Sequence, residues 1–166
     1  MYAEIPREAD ERTTLMAFLD WQRTTLQRKC DGLTPEQLRR RGVPPSTLSL
    51  LGLVRHMAEV ERSWFRARLN NEHLEPLYSS AADPDGDFDN VDTADVDKAF
   101  VSWHEECERA GEIAARLDLD ATGRVAETGR VMSLRWTLVH MIDEYSRHNG
   151  HADLLREVID GSTGYD

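Results

Sequence analysis

The chain has 166 residues, with Lys+Arg 20 against Asp+Glu 31, a formal net charge of −11 and 40% hydrophobic residues. At roughly 150 residues per domain this length predicts a single domain spanning residues 1–166, and the mix of charged and apolar residues is that of a folded globule, not a disordered tail. A charge this negative, with no basic run longer than Arg39-Arg40-Arg41, opposes the counterion release that drives nucleic-acid binding, so no nucleic-acid partner is expected.

No apolar run approaches the roughly 20 residues of a membrane span, and the Met1–Glu8 stretch lacks the basic and apolar regions of a signal peptide. The expectation is a cytoplasmic protein with no membrane partner. Cys30 and Cys107 are far apart and form no Cys-x-x-Cys pair, which predicts two buried, reduced thiols and no thiolate metal cage.

In chain order, Leu15, Phe18, Leu19, Trp21 and Leu26 recur at helical spacing and predict a first long helix from about Ala9 to Cys30, stopped by Gly32. Thr34-Pro35-Glu36-Gln37 reads as an N-cap with proline at the first helical position, opening a short helix that ends before Pro44-Pro45. A second long helix carries Leu50, Leu53, Val54, Met57, Val60 and Trp64 to about Leu69, with Ser46, Thr47 and Ser49 as possible caps. Periodicity then vanishes to about Asp92, across the acidic, turn-rich stretch 81–90.

Thr93 or Asp95 is placed to cap a third long helix bearing Val96, Phe100, Trp103, Cys107, Ile113 and Leu117. The glycines at 123 and 129 predict an irregular or hairpin-like link, and Ser133 a cap for the fourth helix. That helix carries the seam Leu134, Leu138, Met141, Tyr145, His148, Ala152, Leu155, Ile159, and Gly161 ends it. Four long helices in a small domain predict an all-α four-helix bundle, and the two longer links leave its up-down order open. Each long helix has one tryptophan (Trp21, Trp64, Trp103, Trp136), most simply read as core or pocket lining.

His148 interrupts the fourth seam with an imidazole. His140, Glu144 and His148 recur every four residues, so they span only about 80° of helix surface. On the second helix, His56 lies beside Leu53 and Val60 and also faces inward. Two imidazoles and a carboxylate converging from two helices match the donor types and open coordination of a catalytic divalent metal site, with zinc first and nickel, iron or manganese as alternatives. A seam histidine bonded to a nearby glutamate gives the same spacing, so spacing alone leaves both readings open.

His140 and His151 are weaker candidates, as hydrogen-bond donors to the ligands or as pocket walls. Gly150, expensive by about 1 kcal/mol inside a helix, suggests a close approach by a backbone or ligand. His73 and His104 carry no assignment. The run Asp83, Asp85, Asp87, Asp89 fails as an EF-hand, because Phe88 stands where glycine is needed and Ala94 where glutamate is needed. A solvated acidic loop pinned by Phe88 is the expectation. No Gly-rich phosphate loop, nucleophile elbow or Cys/His nucleophile pair is present.

Leu53-Val54-Arg55-His56 with Glu59 and Trp64, followed by the run from Val139 to Asp153, resembles the DinB/YfiT-like metalloprotein superfamily, in its mini-circle-protein branch. The resemblance covers nearly the whole chain. It implies a DinB-like four-helix bundle, commonly a homodimer, with a divalent metal on His56, Glu144 and His148. Many members have histidine where Glu144 stands; the His/Glu/His set is similar to that of mycothiol-dependent maleylpyruvate isomerase, whose additional C-terminal domain is not expected here.

The activity that the resemblance implies is metal-dependent S-transfer, or a related isomerase or lyase reaction, between a small thiol of the mycothiol or bacillithiol type and an electrophile. Arg147 joins His140 and His151 as a pocket candidate on this reading. The alternative is a non-catalytic, stress-associated module that binds a metal or small molecule.

Overall fold

In a computed structural model, residues 5–126 and 128–164 are described; the first four residues of the stretch read for a signal peptide lie outside them. Helix α1 (Glu11–Cys30) starts where the Asp10 carboxylate accepts from the Thr13 amide at 3.0 Å. In α2 (Pro35–Arg39), Thr34 and Gln37 form a reciprocal capping box, which satisfies two amide donors that the first turn leaves bare. Ser49 caps α3 (Leu50–Glu61) through the Gly52 amide, and Asp95 caps α5 (Val96–Arg116) after the single turn α4 (Gly86–Asp89).

The predicted hairpin is real but minimal: β1 (Thr122–Arg124) pairs antiparallel with β2 (Val131–Ser133), with Gly123 opposite Met132. Ser133 then caps α6 (Leu134–Asp160), which ends at Gly161 with φ +81.

Leu19 and Leu26 of α1, Leu53 and Met57 of α3, Trp103 and Ile113 of α5, and Leu138, Met141 and Leu155 of α6 fill one shared core. The order of the long helices follows from which residues meet. Along α1 and α6, Glu11 meets Arg135, Gln22 meets Ser146 and Asn149, and Lys29 meets Asp153, so the first and last helices run parallel. Along α3 and α5, Glu61 meets Cys107 and Asn70 meets Arg116, so these run parallel too. His56 meets His148 while Trp64 meets Trp136, so α3 opposes α6. The bundle is therefore up-down-down-up, and the long 70–95 connection is the crossover that two consecutive parallel helices need.

Four expectations are corrected. From Arg62 to Leu69 the second long helix widens into a π-helix, a form that hydrophobic period does not reveal. Phe18, counted on the apolar period of the first helix, is 41% exposed and lies about 100° off the buried Leu19; Trp136, 49% exposed and about 200° from both Leu134 and Leu138, lines a cleft with Trp64, which is the pocket-lining half of its expectation. Cys107 is only half-buried, whereas Cys30 is buried. Gly150 has open space where a Cβ would stand, on the exposed side of α6, so no close approach explains it.

At the centre of the bundle the Glu61 carboxylate, fully buried, accepts from Arg23 Nε at 2.7 Å and Nη2 at 2.8 Å, and from the Tyr145 hydroxyl at 2.8 Å. Trp103 Nε1 donates to the Tyr145 oxygen at 2.9 Å, and the Cys107 thiol lies 3.6 Å from Glu61 Oε1. Burial raises the Tyr145 hydroxyl and Cys107 thiol well above their ordinary ranges, while Arg23 is raised by the Glu61 charge against the opposing cost of its own burial. This cluster ties α1, α3, α5 and α6 together.

Candidate metal centre

His56 stands in the middle of α3, and Glu144 and His148 stand one turn apart on the antiparallel α6, so the two helices bring three donors to one place. One donor atom from each residue lies within 4.8 Å of the others. Donors about 2.1 Å from a four-coordinate ion sit about 3.4 Å apart, so side-chain shifts of about an ångström complete a coordination set. The side chains of His56, Glu144 and His148 are 22%, 24% and 11% exposed, which leaves one side open to water or a small ligand.

The donors are prepared in different ways. Asp87 Oδ2 accepts from His56 Nδ1 at 2.7 Å; a carboxylate can only accept, so Nδ1 carries a proton and Nε2 is the ring nitrogen left for a cation. The His56 ring also stacks on Phe88, with centroids 4.6 Å apart. His148 presents Nε2 to Glu144 Oε2 at 3.7 Å and Nδ1 to His151 Nδ1 at 3.4 Å. Burial, then the neighbouring His56 and His151, holds His148 down to about 4, so the ring is neutral at pH 7 and has a lone pair to give.

Glu144 Oε1 lies 3.6 Å from His140 Nε2. His140 is itself enclosed by Trp136, stacked at 4.9 Å, and Trp64, edge-on at 4.4 Å, and burial lowers its pKa. His151 lines a cavity of about 260 Å³ with Val43, Leu48 and Leu155. Arg147 lies on the solvent side of α6, 65% exposed and 3.7 Å from Asp143. His73 lies in a separate cavity beside Arg62 and Glu75, and His104 Nε2 donates to Gln27 Oε1 at 2.9 Å on the surface.

Asp87 was not singled out by sequence pattern, and it corrects the picture of a solvated acidic loop. It is 5% exposed because α4 folds down onto α3. Arg55 holds that turn by donating to the carbonyls of Asp87 at 2.9 Å and Gly86 at 2.8 Å while lying over the Tyr78 ring; Glu59 accepts from the Tyr78 and Ser79 amides. Gly86 is required for this seating, since a Cβ there would stand 2.5 Å from the Tyr78 carbonyl oxygen and 2.8 Å from Asp83 Oδ2. The available signal was an Asp-Phe pair flanked by glycine in a loop long enough to reach back across the bundle.

The sequence profile of the mycothiol-S-transferase family matches residues 14–161, a range that holds His56, Glu144 and His148 and every element from α1 to α6 except the first turn of α1. The chain belongs to that family. The family lies within the DinB/YfiT-like superfamily, so the resemblance drawn from the α3 and α6 motifs holds, as does the all-α DinB-like bundle. No curated protein matches the chain.

Proposed function

We propose that the chain is a divalent-metal-dependent mycothiol S-transferase, with the cation held by His56, Glu144 and His148. The carrying observation is the convergence of three donors on an open-sided site inside a bundle of this family. The donor set, two imidazoles and a carboxylate, suits zinc first and nickel, iron or manganese after it. A bound cation supplies Lewis acidity, which favours the thiolate form of a small thiol at neutral pH.

The chain's own residues bind and orient. Asp87 fixes the His56 tautomer, and His140, walled by Trp64 and Trp136, holds the outer edge of Glu144. In the transfer, the thiol loses its proton to solvent, its sulfur forms a bond to an electrophilic carbon, and the bond from that carbon to its leaving group breaks; an epoxide instead opens, and its oxygen takes up a proton. Cys30 and Cys107 are poor nucleophiles for this role because burial raises both thiols, Cys30 to about 12.

The reading takes residues 1–166 as one cytoplasmic domain acting as a homodimer on a small thiol and an electrophile, without nucleic acid. Exposed Val139, Leu154 and Val158 along α6 are apolar surface suited to a second copy, and no helix among the described residues is long and apolar enough to cross a membrane.

The test is elemental analysis of untagged protein, followed by assay of the metal-loaded protein with mycothiol, bacillithiol, glutathione or cysteine against a bimane or an epoxide. About one divalent ion per protomer and a rate that disappears in His56→Ala are expected. Equal rates for wild type, His56→Ala and buffer with every thiol would replace this reading with a metal-binding or small-molecule-binding module.

A further inference from the structure

The outer nitrogens of the two imidazoles in the proposed centre are backed differently. Behind His56 stands the Asp87 carboxylate; behind His148 stands another imidazole, with His151 Nδ1 3.4 Å from His148 Nδ1 and the ring centroids 5.4 Å apart. The pairing is local, since residues three apart on α6 share a face. No carboxylate stands behind His151 in turn: the cavity that its ring lines is bounded by Val43, Ser46, Leu48, Leu154 and Leu155, with no charged group among these described residues.

One proton fits between two facing nitrogens. On His151 Nδ1 it would leave the proton of a neutral His148 ring on Nε2, closing that nitrogen to a cation. On His148 Nδ1 it is accepted by His151 and leaves the Nε2 lone pair facing Glu144, whose Oε2 is 3.7 Å away. An imidazole that accepts in this way is neutral, so it also differs from a carboxylate in charge. Around the centre Glu144, Asp87 and Glu59 bring three negative charges, while a divalent cation and Arg55, which interacts with both Asp87 and Glu59, bring three positive ones. Arg147 and Asp143, 3.7 Å apart on the solvent side, offset one another. His148 thus gains an acceptor that adds no charge, where a carboxylate would make the surroundings net negative and oppose an incoming thiolate.

Resting on the metal-dependent S-transferase reading, we infer that His151 is a positioning residue: it accepts from His148 Nδ1, fixes the tautomer that gives Nε2 to the cation and, being uncharged, keeps the centre receptive to a thiolate. The two imidazoles then have unlike partners for a physical reason. Asp87 strengthens one donor with a charge, and His151 orients the other without weakening the positive field that draws the thiolate form of the substrate.

Three substitutions separate these roles. His151→Asn keeps a neutral oxygen near the position of the imidazole Nδ1, His151→Asp puts a charged one there, and His151→Leu leaves no acceptor. Cobalt(II) alone, competed against a chromogenic chelator, should bind His151→Leu about 10-fold or more weakly than wild type, His151→Asn within about 3-fold of it, and His151→Asp at least as tightly as wild type. On the cobalt-loaded protein 2-mercaptoethanol is then titrated as a neutral probe thiol, which gives its proton to solvent as its sulfur enters the open side; the thiolate-to-cobalt absorption band reads the binding. His151→Asp should weaken that binding about 10-fold, and His151→Asn should leave it near wild type. Equal cobalt affinity in wild type and His151→Leu, an equal loss in all three variants as packing alone would give, or thiol binding indifferent to His151→Asp overturns the inference while the three-ligand centre stands. A wild type that binds no cobalt overturns the metal-dependent reading itself, and the positioning role with it. Cobalt binding without any thiolate band overturns the charge argument together with S-transfer.

Discussion

Two polar clusters occupy the same pair of helices. On α3, His56 and Glu61 are five residues apart, about 7.5 Å; on α6, Glu144 and Tyr145 are neighbours turned about 100° from each other. Around Glu61, both carboxylate oxygens are engaged, by Arg23 and Tyr145, and the carboxylate and the Tyr145 hydroxyl are fully buried. Around His56, Glu144 and His148, His56 Nδ1 has a hydrogen bond of 2.7 Å to Asp87, whereas the donor atoms that face one another stand up to 4.8 Å apart, on side chains partly open to solvent. A buried ion pair whose partners are complete fastens elements together; looser, partly exposed donors are, on the proposed reading, where a cation binds.

Breaking the closed cluster has the largest expected cost. Glu61→Ala removes the bidentate partner of the Arg23 guanidinium, leaving it only the more exposed Asp20, and strips the Tyr145 hydroxyl of its carboxylate acceptor, a loss of about 3 kcal/mol that urea unfolding would register. An unfolding free energy within 1 kcal/mol of wild type would mean that the cluster is not the fastening it resembles.

Breaking the open cluster should leave the fold standing and empty the site. His56→Ala and His148→Ala are each expected to lower metal affinity by more than about 100-fold, beyond the effect of an outer-shell change. Competition against a chromogenic chelator measures this, and full occupancy in both variants would remove these residues from the site. Asp87→Asn sharpens the comparison, because it keeps the shape and removes the charge that fixes the His56 tautomer. About a 10–100-fold drop in metal affinity is expected, with unfolding in the metal-free state changed far less than by Glu61→Ala.

The two cysteines give a smaller, pH-dependent effect. Burial raises Cys30 from its ordinary 9.0 to about 12, and raises Cys107 further. Above pH 9 the unfolded chain releases these protons while the folded chain keeps them, so their contribution to stability is complete below pH 9 and is lost as pH rises toward 12. Thiol titration of the folded protein at pH 8 should accordingly be slow, and become rapid in denaturant; rapid modification of both thiols in the native state would contradict the assigned burial. The smallest effects belong to His73→Ala and His104→Ala, which should leave metal content unchanged and shift stability by no more than about 0.5 kcal/mol.

Hydrophobic period and capping chemistry made the four long helices readable, because both are local: Thr34 and Gln37, Ser49, Asp95, Ser133 and Gly161 act on backbone groups within a few residues of themselves. The three proposed ligands were readable for the same reason, since a four-residue step on α6 and an inward position on α3 are properties of single helices. Asp87 was not, because its role depends on a crossover whose path is set by Arg55 and Glu59 gripping the loop from α3. The up-down-down-up order and the cleft that Trp136 shares with Trp64 likewise arise only when separate helices are laid against one another. Period and caps specify each helix and its apolar face; which faces meet, and which polar side chains are thereby paired or left waiting, is decided by packing between segments far apart in the chain.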